Sequence, residues 1–262
     1  MRILLCGYGR MGKEIEAVAL RREHTIVARI DPKSPGADFP GLETFADATA
    51  GAGGLRPKNA GEAAIDFALP EGILERIQFY LTNKIPAVIG TTGWDDEREA
   101  ARKMVEEASG SVIWSSNFSI GAQLLFRISA FAAQLADPFD DYDVSIHETH
   151  HRQKVDSPSG TALSLAERVL ASIQRKQKVF TEAAHRKIEP GELHVTSTRC
   201  GSNPGEHHIV FDSPADSIEL VHRARNRSGF AGGAVVAAEW IAGKTGFFSI
   251  DDLFDDLTRG GV

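Results

Sequence analysis

The stretch RILLCGYGRMGKEIEAVALRREHTIVARID, residues 2–31, decides the fold. Ile3-Leu4-Leu5-Cys6 is continuously apolar, as a parallel strand buried on both faces must be. The run breaks at Gly7-Tyr8-Gly9-Arg10-Met11-Gly12 and resumes with helical spacing at Ile15, Val18 and Ala19. HTIVARI then reads as a second strand, closed by Asp31. Strand, G-x-G-x-x-G, helix, strand and acid in this order form the dinucleotide-binding fingerprint of a Rossmann-type sheet. Each part has a physical reason. Gly7 permits the tight turn, Gly9 lets the backbone approach a pyrophosphate, and Gly12 allows the helix to pack close on the strand. The helix start offers unpaired N–H groups to phosphates. Asp31 is placed to accept hydrogen bonds from ribose hydroxyls and favours NADH, because a carboxylate repels the extra phosphate of NADPH. Lys33 softens that repulsion and leaves NADPH open. A plain Asp31-Pro32 turn is the structural alternative.

The alternation continues outward. AAIDFALP (63–70) reads as a strand, EGILERIQFYLTN (71–83) as a helix and IPAVIGTTG (85–93) as a strand with its loop. WDDEREAARKMVEEAS (94–109) is a helix that begins with acids, and SVIWSSNFS (111–119) is another strand. Strands alternating with helices specify a doubly wound parallel sheet, whose ligands bind outside the carboxyl ends of the strands. Those ends carry Gly7–Gly12, Asp31, Phe67–Pro70, Gly90–Gly93 and Ser115–Phe118. Gly90, Thr91 and Thr92 suit a nicotinamide neighbour, with small residues permitting approach and hydroxyls reaching an amide. A strand-to-helix turn explains them equally well.

From about residue 119 the pattern changes. IGAQLLFRISAFAAQLA (120–136) is a long helix with an apolar face. YDVSIHETHH alternates through Val144 and Ile146 as a half-buried strand, delivering its polar partners to one side. A cationic loop and a helix from about Gly160 to Arg175 follow. Residues 191–200, 206–213 and 216–225 then read as strands without intervening helices, which implies a mixed or antiparallel sheet with one free face. A free face must be covered, so it is expected to form an oligomer interface. The segment NRSGFAGGAVVAAEWIAGKTGFFSIDDLF returns to a small-residue helix and a closing element that rejoins the first domain. The expected architecture is therefore α/β: a doubly wound parallel domain over 1–118 and 228–262, and a smaller α+β domain with an open mixed sheet over 119–227. Residues 32–61 are a Gly/Pro-rich loop, and there are no internal repeats.

Composition narrows the partners. The 262 residues are 42% hydrophobic and 25% charged, ordinary for a globular chain with a sizeable core. A net charge of −7 gives no reason to expect nucleic acid or an anionic membrane surface. Cations for an anionic substrate must then be gathered locally. Cys6 and Cys200 form no close pair, so neither a disulfide framework nor a cysteine metal site is expected, and a reducing compartment is favoured. MRILLCGYGRMG is broken too soon by glycine for a signal peptide, and no apolar run reaches membrane-spanning length, so a cytoplasmic location is expected.

The stretch ETHHRQKVDSPSGTA, residues 148–162, is where the cations collect. A solvated charged loop is the ordinary reading of such a run. A metal site is disfavoured because His147, His150 and His151 lack the spacing of a helical pair of ligands, so no metal is expected. An anion site that moves a proton accounts for every piece. Ser159 or Asp156 can cap the helix, and the Gly160 and Thr161 N–H groups with the Thr161 hydroxyl make an anion cradle. Lys154 supplies a point charge for a carboxylate. A histidine beside cations and an anionic ligand suits a proton donor near neutral pH. With a nicotinamide as hydride source, the reaction class is reduction of a C=C or C=N bond in a small carboxylated acceptor.

GYGRMG, DFALPEG, VIGTTGW, SSNFSIG, ETHHRQKVDSPSGTAL and HRARNRSGFAGGAVVAAEWIAGKTGFFSIDDLF occur in this order over nearly the whole chain. Together they resemble the 4-hydroxy-tetrahydrodipicolinate reductase (dihydrodipicolinate reductase) family of the diaminopimelate route to lysine. The resemblance implies His150 as proton donor, His151 as a substrate contact and Lys154 as donor and carboxylate partner. It implies Gly160 and Thr161 at the other carboxylate of a small cyclic dicarboxylate. It places Gly7, Tyr8, Gly9, Arg10, Met11, Gly12, Asp31, Lys33, Gly90, Thr91, Thr92, Ser115, Ser116, Asn117, Phe118 and Arg227 around an NADH or NADPH cofactor, with Phe230 close to Arg227 at the return between domains. It also implies a homotetramer built through the smaller domain's sheet. Ser157, Ser115 and Ser116 stand where the family usually has alanine, and residues 32–61 match poorly. The rival readings are an oxidoreductase of another amino-acid intermediate, of the aspartate-dehydrogenase type, and a non-catalytic NAD(H) sensor. Exchanging the acceptor in an NADH assay separates them.

Overall fold

A computed structural model describes residues 1–49 and 62–259. Residues 50–61 of the Gly/Pro-rich loop lie outside the described residues. The chain divides into two compact units, Met1–Ser119 with Ser228–Val262, and Ile120–Arg227.

The first unit contains β1 (Arg2–Cys6), α1 (Arg10–Arg21), β2 (Thr25–Ile30), α2 (Leu42–Thr49), β3 (Ala63–Asp66), α3 (Ile73–Thr82), β4 (Ala87–Ile89), α4 (Arg98–Glu107) and β5 (Ser111–Trp114). The second contributes α5 (Ile120–Ala136), β6 (Asp143–His150), α6 (Gly160–Leu170), β7 (Lys178–Phe180), β8 (Glu192–Arg199), β9 (Glu206–Asp212) and β10 (Ser217–Arg223). The chain then returns to the first unit with α7 (Ser228–Ile241), β11 (Gly246–Ser249) and α8 (Ile250–Arg259).

Six parallel strands in the order β11-β5-β4-β3-β1-β2 form the sheet of the first unit. Ile3, Leu4 and Leu5 are all buried, which is what a continuous apolar run delivers when both sheet faces are covered. Leu4 and Cys6 pack with Ile73, Ile77 and Tyr80 of α3 and Val105 of α4. On α7, Ala231, Ala234, Ala237 and Ala238 are fully buried. Their lack of bulk suits close approach of that helix to α1, which it contacts. The chain steps from β1 outward to β2 and then back across to β3, so the crevice outside β1 and β3 is the topological switch point.

Several element ends differ from expectation for local reasons. β3 stops at Asp66: the Phe67 N–H makes the last ladder bond, to the Cys6 carbonyl, and Ala68 and Thr91 then close around the Asp66 carboxylate. α3 begins at Ile73, since Gly72 is left-handed at φ 72°. The acidic start of the next helix is a single 3-10 turn over Asp95–Glu97. α6 ends at Leu170 rather than near Arg175, and the short strand β7 was not anticipated.

The second sheet runs β10-β9-β6-β8-β7, with β9 antiparallel to β6 and β10 while β6, β8 and β7 are parallel. It is the mixed sheet expected. α5 and α6 cover one face through Leu125, Phe126, Leu165 and Val169, which pack on Ile146, Val195 and Phe211. On the other face His147 pairs in register with Thr196 and His208, all partly exposed.

Candidate active site

In the first unit the nucleotide fingerprint folds as a cradle. Gly7 sits at φ +85°, and a Cβ there would stand 2.5 Å from the Phe67 and Ala68 backbone. A Cβ on Gly12 would lie 2.4 Å from the Gly7 carbonyl oxygen, so its absence lets α1 start directly on the turn. Gly9 has open space where its Cβ would be, and as N-cap it offers no side-chain cap. The first-turn N–H groups of α1 therefore face a site with room for an anion. A groove of about 1270 Å³ opens here, lined among others by Gly7, Gly9, Asp31, Lys33, Phe67 and Arg76. The residues present fit a dinucleotide.

Asp31 is tightly held in this groove. Its carboxylate accepts the Tyr8 N–H at 2.9 Å and the Lys33 and Ser34 N–H groups at 2.8 and 2.9 Å. The carboxylate thus orders the turn that carries it as well as facing the groove. Tyr8 is pinned outside it: its hydroxyl donates to Glu16, which also binds Arg29, and the Arg29 guanidinium lies over the ring at 5.6 Å. Arg10 is exposed, and Met11 is half-buried.

The neighbouring strand ends hold surprises. Gly90 is small because the Phe67 ring occupies its Cβ position, at 2.2 Å. The Thr91 hydroxyl is buried and donates to the Ala68 carbonyl at 3.0 Å, so it is turned inward and away from the amide role expected of it; Thr92 is exposed. Ser115 and Asn117 close a buried turn through Ser115 Oγ, and Phe118 packs on Phe67, leaving Ser116 exposed. Beneath them Asp66, fully buried, accepts from Arg76 Nε at 2.8 Å and the Tyr80 hydroxyl at 2.9 Å. Arg76 also donates to the carbonyls of Glu71 and Leu69, which fixes the loop after β3. Sequence reasoning passed over this support. Its only trace was an acid in an otherwise apolar strand.

In the second unit, β6 alternates so that Val144, Ile146, Glu148 and His150 share the buried face. Glu148 Oε2 lies 2.6 Å from His150 Nδ1, and Glu148 Oε1 accepts Arg199 Nη2 at 2.7 Å and the Ser159 N–H at 2.9 Å. His207 of β9 is in register with Glu148, with Nε2 3.8 Å from Oε2 and its ring 5.3 Å from that of His150. Burial alone would raise the Glu148 carboxyl, but His150, Ser159 and Arg199 outweigh it and hold it far below the usual carboxylate range. Burial pushes His207 down to about 4, and neighbouring His150 adds to the effect.

Ser159, rather than Asp156, caps α6: its Oγ accepts the Ala162 N–H at 3.1 Å. Gly160 is exposed beside it, with open space at its Cβ position, and Thr161 is half-buried. Lys154 Nζ pairs with Asp156 at 2.8 Å, and that contact draws the Asp156 carboxyl below its ordinary value, with the Gly160 backbone adding to it. Arg199 also donates to the Asp156 carbonyl, tying the loop to the sheet. His151 is half-buried and its N–H binds the Asn203 carbonyl at 2.8 Å; its side chain is not part of the Glu148 contact set. Arg227 is exposed just before α7.

Glu148, His150 and His207 each present one metal-ligand type of atom, all within 4.8 Å of one another. The 2.6 Å between Glu148 and His150 is shorter than the separation of about 3.3 Å that two ligands on one tetrahedral zinc would have. The spacing is that of a carboxylate–imidazole pair.

A family model described as dihydrodipicolinate reductase, N-terminus, matches residues 1–118, and one described as dihydrodipicolinate reductase, C-terminus, matches residues 121–254. A 4-hydroxy-tetrahydrodipicolinate reductase of Christiangramia forsetii is 36% identical over 259 residues, covering 99% of this chain and 100% of its own. One from Neisseria gonorrhoeae is 36% identical over 196 residues, 73% of this chain and 72% of its own. Among solved structures, a dipicolinate-bound dihydrodipicolinate reductase from Paenisporosarcina sp. TG-14 aligns with a TM-score of 0.73 over 95% of this chain and 97% of that one. At 23% identity that likeness speaks for the fold alone.

Proposed function

The chain belongs to the dihydrodipicolinate reductase family, and from that premise we infer that it reduces 4-hydroxy-tetrahydrodipicolinate to tetrahydrodipicolinate with a nicotinamide cofactor. The observation that carries this reading is the match of both family models, in order, across both units. When bound, the nicotinamide supplies a hydride to the acceptor. The chain's own residues do the rest. The first-turn N–H groups of α1, above Gly9, take the pyrophosphate, with Arg10 and Met11 at its edge and the exposed Thr92 and Ser116 as polar neighbours. Asp31 faces the adenosine ribose and favours NADH, while exposed Lys33 leaves NADPH usable.

On the second unit, Lys154 and the Gly160–Thr161 helix head receive the two carboxylates of the substrate. His150 donates the proton. The contact of its Nδ1 with the fixed, buried Glu148 carboxylate supports His150 over His151 in that role. His151 is then a substrate contact. The half-exposed His147, Thr196 and His208 on the open sheet face support the same reading's homotetramer, and a cytoplasmic location accompanies it.

The test follows NADH absorbance with the cyclic dicarboxylate formed from pyruvate and aspartate semialdehyde. Substrate-dependent oxidation is expected, and His150→Gln lowers kcat by about 10²–10³, the scale of lost general-acid catalysis. Folded protein that oxidises no NADH with this acceptor, yet does so with another amino-acid intermediate, sinks the substrate assignment.

A further inference from the structure

We propose that Glu148 is the positioning residue for proton transfer: it fixes the His150 ring with Nδ1 toward the carboxylate, so that Nε2 carries the proton delivered to substrate. The inference rests on the reading of His150 as proton donor.

The two ring nitrogens of His150 have different surroundings. Nδ1 lies 2.6 Å from Glu148 Oε2, whereas Nε2 faces Gly205, where a methyl group would stand 2.9 Å away. The absence of a side chain at that position leaves Nε2 clear of side-chain carbon. His207 meets the ring edge to face at 5.3 Å and 77°, which restricts its rotation. Glu148 is itself immobilised, fully buried with Oε1 taken by Arg199 and the Ser159 N–H. A ring set against a fixed carboxylate at one nitrogen and against His207 at its edge keeps one orientation. Ser159 links this pair to the substrate cradle, because the residue whose N–H holds Glu148 also caps the helix whose Gly160 head is offered to a carboxylate. One buried acid therefore sets both the proton donor and the helix start beside it.

Around His150 stand Glu148 on its own strand, Arg199 in register with it on β8 and His207 on β9. Glu148 is the carboxylate in ion-pair contact with the ring. With Glu148→Gln the carboxylate beside Nδ1 is gone while Arg199 and His207 remain, so the ring is no longer held for transfer. kcat should fall by about 10–10²-fold, a share of the general-acid contribution, with the substrate KM changed far less.

The deciding measurement is a double-mutant cycle of Glu148→Gln with His150→Gln, read as kcat and KM. If Glu148 acts through His150, adding Glu148→Gln to His150→Gln lowers kcat no further. Glu148→Asp keeps the charge that Arg199 requires but withdraws it by one methylene, and carries the test where Glu148→Gln folds poorly. It should lower kcat while retaining NADH affinity. Multiplicative losses in the cycle, or a KM that rises as much as kcat falls, would overturn the proposal and leave Glu148 as an anchor for Ser159 and Arg199. A His150→Gln variant with wild-type turnover strikes instead at the proton-donor reading, and so the two failures are told apart.

Discussion

His207 gives a prediction in which the magnitude can be worked from the structure. The residue is 4% exposed, between Glu148 and His222, with Nε2 3.4 Å from Ser159 Oγ. Burial, then the neighbouring His150, push its pKa from 6.5 down to about 4, against the pull of the Glu148 charge. Because the folded value lies below the unfolded one, the unfolded chain takes up the proton first as pH falls. This contribution to stability is whole above pH 6.5, declines from 6.5 to 4, and is fully lost below 4. The shift corresponds to about 3 kcal/mol over the whole window and about 2 kcal/mol between pH 7.5 and pH 5. For a unit of this size that is a fall in Tm of roughly 5–10 °C.

The assay compares thermal melts of wild type and His207→Gln at pH 7.5 and pH 5. The variant loses packing at both pH values, but that loss cancels in the difference between them. Wild type should lose about 2 kcal/mol more than the variant on acidification. Carboxylates that titrate near or below 4 contribute little in this interval, and they are common to both proteins. Equal pH dependence in the two would refute the reasoning and mean that the buried ring accepts its proton without strain.

Gly12→Ala places a methyl 2.4 Å from the Gly7 carbonyl oxygen, and strain of about 1–3 kcal/mol should weaken NADH binding by roughly tenfold or more. Fluorescence titration checks it, and wild-type affinity would mean the helix head does not hold the pyrophosphate. Asp31→Ala removes the charge facing the groove and the acceptor of three N–H groups. It should shift the kcat/KM ratio toward NADPH and lower Tm; an unchanged ratio with lower Tm would make Asp31 a turn residue alone.

The first unit was legible because its signals are local. A buried parallel strand must be apolar throughout, and the Gly7–Gly12 spacing leads into a helix whatever surrounds it. Strand ends were less legible. DFALP has the apolar content of a strand continuation, yet after Asp66 the backbone turns so that Phe67 can fill the space over Gly90. Nothing in the linear pattern pairs residue 67 with residue 90. The same limit hid the Thr91 hydroxyl, which turns inward because buried Asp66 and the Ala68 carbonyl both lie within reach.

The adjacent histidines show what strand geometry adds to spacing. Successive side chains on a strand point to opposite faces, so only one of His150 and His151 can share a face with Glu148. The two-residue step from Glu148 to His150 was present in ETH, and β6 ends at His150. What the linear order could not supply is the register of β9, which sets His207 opposite Glu148, and of β8, which sets Arg199 opposite His150. These distant residues shape the environment of the pair: Arg199 joins His150 and Ser159 in holding the Glu148 carboxyl low, and His207 restricts the ring. A cluster of histidines and cations in one stretch is therefore resolved by strands from elsewhere in the chain. The acid beside His150 comes from the motif, and the groups around that acid come mostly from the sheet.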